Sequence, residues 1–282
     1  MTISEALREG TRLLRGVRSE EPKLEAEMLL MHALKIDRVG LYQRLRQPLK
    51  PQQRRRYQRL LERRQAHEPT AYILGTKEFY GLEFEVSRAA LIPRPETETL
   101  VELVVAYVRN RADERLVITD IGTGSGVIAV SLAFRLMNAR ITATDASKRA
   151  LALAQRNAER HGAAERIEFG HGNLLTPLNH KPDVIAANLP YVTTAEWEAL
   201  SPEITDHEPK GALHGGADGL RYIRRLLKRA PGELRPGGAI FLEIGGAQGA
   251  VARFLARRSF PESDIEIAPD LAGRDRVLCV YS

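Results

Sequence analysis

Residues 120–126, Asp120-Ile-Gly-Thr-Gly-Ser-Gly126, constrain the fold more than any other segment. The apolar run Leu116-Val-Ile-Thr-Asp-Ile121 before them reads as a strand, and residues 127–137 after them read as a helix. A strand that passes into a helix over three glycines makes a tight turn whose backbone can approach a ligand closely. The pattern then continues. A helix over 98–110 comes before the run, and a strand at 140–144 and a helix at 147–161 follow it. Shorter strand candidates lie at 166–169, 183–187, 239–244, 265–268 and 277–280. Strands alternating with helices of this length predict an α/β fold, a mostly parallel sheet with helices on both faces. In such sheets ligands bind at the carboxyl ends of the strands, near the point where the strand order reverses.

Upstream the character differs. Residues 1–75 hold 16 Lys and Arg against 9 Asp and Glu, a net of +7, whereas the remaining 207 residues hold 26 against 27. That asymmetry predicts two modules, the first either facing an acidic partner or staying soluble by its charge. Ile3, Leu7, Leu13 and Leu14 recur at helical spacing. Pro22 suits the first turn of a second helix carrying Leu24, Met28, Leu29 and Ala33. A third begins near Pro51, with Tyr57, Leu60 and Leu61 on one face and Arg54, Arg55, Arg59 and Arg63 largely elsewhere. Residues 1–75 are therefore expected to form a small helical bundle, 76–95 a hairpin and linker, and 96–282 the α/β domain. The single cysteine, Cys279, excludes an internal disulfide framework and a cysteine-only metal site, and is expected in the core of a terminal strand. No histidine spacing suggests a metal site. The longest uncharged stretch near the middle, 121–134, is 14 residues with three glycines, too short to span a bilayer. The first residues show no signal-peptide apolar core, so a cytoplasmic location is expected.

The glycine spacing is G-x-G-x-G, with an acid two residues before the first glycine, and not the G-x-G-x-x-G of dinucleotide sites. It resembles the first motif of S-adenosylmethionine-dependent methyltransferases, which implies a Rossmann-like sheet and S-adenosyl-L-methionine as cofactor. That cofactor has no phosphates. Its ammonium and sulfonium favour nearby carboxylate or carbonyl oxygens. The resemblance assigns Gly122, Thr123, Gly124, Ser125 and Gly126 to cofactor binding. Asp145 ends the next strand, 19 residues after Gly126, where a carboxylate can accept both ribose hydroxyls of adenosylmethionine or of NAD, or else cap the following helix. Asn173 follows the third strand, where methyltransferases often set an acidic or amide side chain against the adenine amino group; a plain turn residue is the alternative.

The run 183–187 leads straight into Asn188-Leu-Pro-Tyr191. This tetrapeptide resembles the Asn-Pro-Pro-Tyr motif of methyltransferases that act on planar amide or exocyclic amino nitrogens. Such nitrogens are poor nucleophiles because their lone pair is delocalised. The resemblance implies that the Asn188 side-chain oxygen and the Leu189 carbonyl accept the two N–H bonds, that Asn188 also faces the cofactor, and that Tyr191 lines or stacks on the planar group. Leu189 stands where the family has its first proline. Pro190 still biases Leu189 toward an extended conformation, but the ring that locks φ is lost, so looser positioning is expected.

Further segments extend the likeness over nearly the whole chain. Pro69-Thr-Ala-Tyr-Ile-Leu-Gly75, Glu78-Phe-Tyr-Gly81, Leu91-Ile-Pro-Arg-Pro-Glu-Thr-Glu98, Glu208-Pro209, Glu243-Ile-Gly245 and Asp270-Leu-Ala-Gly-Arg-Asp-Arg276 are similar to the release-factor glutamine methyltransferases. The implied activity is N5-methylation of the glutamine in the Gly-Gly-Gln loop of peptide-chain release factors, with no membrane and no direct nucleic-acid contact. Residues 92–98 are the most discriminating piece, either near the substrate entrance or a rigid linker, with Arg94 and Glu96 paired at the surface. Trp197 is expected to pack. The arginines of 44–64 are a solvated face or an electrostatic surface for a partner. A ribosomal-protein glutamine methyltransferase is the alternative within the same chemistry. A nucleic-acid adenine methyltransferase is less favoured, because only 91 residues follow Tyr191 and most are needed to finish the sheet. An NAD-dependent oxidoreductase is disfavoured by the glycine spacing, and an esterase by the absence of a G-x-S-x-G elbow.

Overall fold

The computed structural model describes residues 1–17, 19, 21–111 and 116–282. The chain divides into two compact units, Met1–Thr76 with Ser201–His207, and Lys77–Leu200 with Glu208–Ser282.

The first unit is helical: α1 (Ile3–Arg15), α2 (Pro22–Leu34), α3 (Arg38–Gln43), α4 (Pro51–Gln65) and α5 (Thr70–Leu74). Its boundaries follow local chemistry. Thr2 and Glu5 form a reciprocal capping box on α1, prolines open α2 and α4, and Gly75 ends α5 at φ +80°. Leu14, Leu29, Leu30, Leu41, Tyr57 and Leu61 fill the core. The Tyr57 ring crosses α1 so closely that a Cβ on Gly10 would collide with its hydroxyl, which donates to the Ala26 carbonyl at 3.2 Å. The face expected for α2 needs one correction: Leu24 is exposed, and Ala26, Glu27, Leu29, Leu30 and Ala33 are the buried positions. Arg64, 3% exposed, is held by Glu25 at 3.0 Å and by Glu203 at 2.7 Å. Glu203 belongs to the 201–207 segment.

From Lys77 on, the second unit takes in the rest of the hairpin β1 (Thr76–Phe79) and β2 (Leu82–Glu85), then α6 (Thr97–Arg109), β3 (Val117–Ile121), α7 (Val127–Arg135), β4 (Arg140–Asp145), α8 (Lys148–Arg160), β5 (Ile167–His171) and β6 (Val184–Ala187). A short pair, β7 (Val192–Thr193) and β8 (His214–Gly216), brackets α9 (Thr194–Ala199) and α10 (Pro202–Thr205), the latter in the segment that joins the helical unit. The unit closes with α11 (Arg221–Glu233), β9 (Ala239–Glu243), α12 (Gly249–Ser259), β10 (Asp264–Pro269) and β11 (Asp275–Tyr281).

Seven strands form one sheet in the order β10-β11-β9-β6-β3-β4-β5. The pairs among β9, β6, β3, β4 and β5 are parallel, and β11 is antiparallel to both its neighbours. This is the expected Rossmann-like α/β sheet. Both faces are covered, so every residue of β6 and β9 is buried. Alternate residues feed separate cores: Ile118, Val184, Ala186 and Phe241 with α6 and α7 on one face, Ile185, Ala187, Ile240 and Leu242 with α11 and α12 on the other. Cys279 lies in β11 in the first of these cores, and burial pushes its thiol up to about 12. The chain runs outward from β3 to β4 and β5 on one side, then returns to β6 on the other. The strand order therefore reverses between β3 and β6.

Candidate functional site

Strand register decides which residues meet at this reversal. Ile121 of β3 is level with Thr144 of β4 and with Ala187 of β6, and Asp145 is level with His171. One step beyond the strand ends, the register brings Gly122, Asp145 and Asn188 side by side, with Gly172 and Asn173 just past β5. Four segments separated in sequence are thus gathered by the sheet alone.

The glycine loop is fastened from beneath. Gly122 and Thr123 donate their backbone N–H to the Thr144 carbonyl at 2.8 and 2.9 Å, and Gly124 donates to Asp145 Oδ2 at 2.9 Å. Asp120 is wholly buried; its Oδ2 accepts from the Thr123 hydroxyl at 2.6 Å and from the Ala129 N–H at 3.2 Å. Burial pushes its carboxyl up to about 7, against the lowering effect of those two bonds. Gly126 adopts φ +84°, and a Cβ there would lie 3.0 Å from that of Ala154, so both the turn and the approach of α8 demand glycine. Asn157 on α8 is also wholly buried. Its Nδ2 donates to the Ser125 carbonyl at 2.8 Å and to the Glu85 carbonyl at 3.0 Å, while its Oδ1 accepts from Glu85 N–H at 2.7 Å.

Above the strand ends lies a cavity of about 420 Å³, within the range of sites for small molecules. Of the residues singled out from sequence, Gly122, Thr123, Gly124, Ser125, Asp145, Asn173, Asn188, Leu189 and Pro190 line it. Gly126 does not; it is the N-terminal cap of α7. Asp145 does not cap α8, because Ser147 does, accepting from Ala150 N–H at 3.2 Å. Asp145 instead lines the cavity, and its Oδ1 accepts from Ser147 N–H at 2.7 Å.

At the tip of β6, Asn188 donates through Nδ2 to the Thr97 hydroxyl at 3.0 Å, which leaves its Oδ1 as an acceptor. Leu189 is 4% exposed and belongs to the core beneath α11. Its Cδ2 sits 3.2 Å from where a Cβ on Gly122 would be. Tyr191 is not among the cavity-lining residues. Its hydroxyl donates to Glu243 Oε1 at 3.1 Å, and its carbonyl accepts from Gln248 Nε2 at 2.9 Å.

Other walls carried weaker signals or none. Ala89 to Arg94 form one side, and Thr97, Pro209, Gly211, Ala212 and Tyr222 complete the lining. The 92–94 stretch is held by Glu208, which accepts from Ile92 N–H at 3.0 Å and pairs with Arg94. The surface pairing of Arg94 with Glu96 does not form: Glu96 lies 3.7 Å from Arg274 instead. Glu208 is 5% exposed and reaches across 116 residues of sequence, so a local pattern could not reveal the pair. Trp197 is half-buried, stacked under the Lys210 ammonium at 5.2 Å, and does not line the cavity. Among the described residues no group of three or more His, Cys, Asp or Glu could hold a metal ion, and no helix is long and apolar enough to cross a membrane.

Comparison with known proteins bears on both units. Residues 5–75 match the family model of the PrmC N-terminal domain, and residues 97–206 that of the methyltransferase small domain. The release factor glutamine methyltransferase of Moorella thermoacetica is 44% identical over 100% of this chain and 99% of its own length. That of Geobacter sulfurreducens is 44% identical over 92% and 89%. Among solved structures, a methyltransferase from Pyrococcus furiosus superposes with a TM-score of 0.53 at 19% identity, covering 73% of this chain and 91% of its own.

Proposed function

Because this chain belongs to the release factor glutamine methyltransferase family, we propose that it transfers a methyl group from S-adenosyl-L-methionine to the side-chain amide nitrogen of the glutamine in the Gly-Gly-Gln loop of peptide-chain release factors. The observation that carries this reading is the adjacency, at the strand-order reversal, of a glycine loop and of Asn188-Leu189, which line one cavity together. The cavity suits the cofactor. It offers a carboxylate, Asp145, for vicinal hydroxyls, an amide oxygen on Asn173 for the adenine amino group, and apolar walls at Ala89, Ile92 and Leu174. When bound, S-adenosyl-L-methionine supplies an electrophilic methyl on its sulfonium.

The chain's own contribution is positional. Asn188 Oδ1 and the Leu189 carbonyl accept the two N–H bonds of the substrate carboxamide and so turn its nitrogen toward the methyl. Holding two reactants in line in a site that excludes water is worth ~7–11 kcal/mol of the barrier. The four residues of the tetrapeptide offer no strong base, so the surplus proton of the methylated amide leaves to solvent. In this reading the partner is a protein loop, not a nucleic acid or a membrane. The test is transfer from methyl-labelled S-adenosyl-L-methionine to a purified release factor, beside a Gln→Ala version of its Gly-Gly-Gln and a ribosomal-protein control. Label confined to the intact loop is expected. Label that persists in the Gln→Ala protein, or appears only on the ribosomal protein, overturns the reading.

A further inference from the structure

The Tyr191 end of the tetrapeptide is held by groups that lie outside the cavity, and Gln248, the N-terminal cap residue of α12, joins them. Its Oε1 accepts from the Gly245 N–H at 2.8 Å. A backbone N–H can only donate, so this bond fixes which way the amide faces. Nε2 is thereby turned to two carbonyls, that of Tyr191 at 2.9 Å and that of Asp218 at 3.5 Å. One side chain thus links the exit of the tetrapeptide, the turn after β8 and the turn after β9. The seat is close. Gly219 stands at φ +71°, and a Cβ there would collide with the Tyr191 carbonyl oxygen and come 2.5 Å from Gln248 Nε2. A Cβ on Gly215 would come 2.5 Å from the Pro190 carbonyl oxygen, so neither position has room for a side chain.

Leu189 and Pro190 give this fastening its consequence. Leu189 lacks the ring that would lock its φ, and Pro190 has no N–H to donate. The Leu189 carbonyl is therefore placed by its side chain's packing and by what holds the chain on either side. Before it stand the sheet, through Ala187 paired with Ile121 and Leu242, and the bond from Asn188 to Thr97. After it, the Val192 N–H donates to the Leu213 carbonyl at 2.9 Å, the Tyr191 hydroxyl reaches Glu243, and Gln248 grips the backbone carbonyl two residues past Leu189. Neither Tyr191, Asp218, Gly219, Gly245 nor Gln248 lines the cavity, so this grip can be cut without altering the walls around the cofactor.

We propose that Gln248 is a positioning residue for methyl transfer: by bonding the Tyr191 carbonyl it holds the backbone on which Leu189 presents its own carbonyl to the substrate amide. The inference rests on the reading of Asn188 and Leu189 as the acceptors of that amide. Two variants of the full chain test it. Q248E keeps an acceptor for the Gly245 N–H, so the start of α12 stays bonded, but at about pH 8 its carboxylate sets an oxygen against the Tyr191 carbonyl. Q248M keeps the length and removes both bonds. Single-turnover methylation is followed over a range of release-factor concentrations, beside equilibrium dialysis with S-adenosyl-L-methionine. Each variant is expected to bind one cofactor per chain with an affinity within about threefold of wild type, and to lose about tenfold or more in maximal transfer rate, because a small misplacement of a reacting group is costly. The release-factor concentration at half-maximal rate should move by less than about threefold. A side chain that merely stabilised the fold would lower the fraction of chains that bind cofactor and leave the rate per bound chain unchanged. A maximal rate for Q248E within about threefold of wild type, a loss that lies wholly in the half-saturating concentration, or cofactor affinity falling in step with rate each overturns the inference. Should Q248E fail to fold, Q248M decides by the same measures. A wild-type protein that transfers nothing to a release factor overturns the proposed function instead, so the two failures are told apart.

Discussion

Asn157→Leu removes three buried hydrogen bonds at nearly constant volume. The Asn157 side chain ties α8 to β2 and to the glycine loop through Glu85 N–H, the Glu85 carbonyl and the Ser125 carbonyl, at 2.7, 3.0 and 2.8 Å. Leucine leaves one donor and two acceptors without a partner. At about 1–3 kcal/mol for each buried group left unpaired, and taking the half-buried Glu85 groups at the low end, the loss is about 3–5 kcal/mol. That stands at the upper end of what one substitution does. For a chain of this size, about 2–4 °C per kcal/mol translates it into a fall of about 6–20 °C in melting temperature, measured by circular dichroism. Ser125 lines the cavity, so affinity for S-adenosyl-L-methionine should weaken with it, by about tenfold or more in equilibrium dialysis.

Asn157→Asp sharpens the test. It keeps the acceptor for Glu85 N–H but sets an oxygen against two carbonyls, so its loss at pH 7 should be at least as large. Burial and those carbonyls raise the carboxyl above its unfolded value of about 3.9, so the folded form binds a proton that the unfolded form has released. Stability of the aspartate variant should therefore rise as pH falls toward 4, while the leucine variant shows no such relief. A leucine variant that loses less than about 1 kcal/mol and binds cofactor like wild type would refute the reasoning.

Two further outcomes follow from single features. Asp120, with its carboxyl raised by burial to about 7, makes the folded protein bind a proton that the unfolded chain loses near 3.9, so stability declines as pH rises from about 4 through about 7. Asp120→Asn should flatten that decline in denaturant titrations across the range and gain most over wild type above pH 7; parallel profiles would contradict it. Arg54, Arg55 and Arg59 are exposed on α4 without ion-pair partners among the described residues, so neutralising all three should weaken release-factor affinity, most at low salt, and leave cofactor affinity unchanged. Unchanged release-factor affinity would mark them as a solvated face.

Sequence reached the parts of the site whose signals are local. The glycine loop, Asp145, Asn173 and the tetrapeptide each follow a strand within a few residues, and periodicity finds strands. Once the strands are parallel and ordered, register does the rest, which is why Gly122, Asp145 and Asn188 meet. The unread parts rest on distance along the chain. Asn157 bonds across 72 residues to Glu85, Glu208 across 116 to Ile92, and Arg64 across 139 to Glu203. In each case the partner is an ordinary polar residue with no neighbour pattern to mark it. Arg94 and Glu96 show the converse error, since nearness in sequence suggested a pair that the fold separates onto Glu208 and Arg274. Leu24 was misplaced because its helix is apolar around much of its circumference, so the period alone did not fix the buried face.

The central claim is that Asn188 Oδ1 and the Leu189 carbonyl hold the reacting amide, and Asn188→Ala tests it most directly. Single-turnover transfer to a release factor should slow by about 10²–10³-fold, the effect of deleting one preorganised hydrogen-bond partner of the reacting group, while the dissociation constant for S-adenosyl-L-methionine stays within about threefold. Transfer at nearly the wild-type rate, or rate and cofactor affinity falling together, would contradict it.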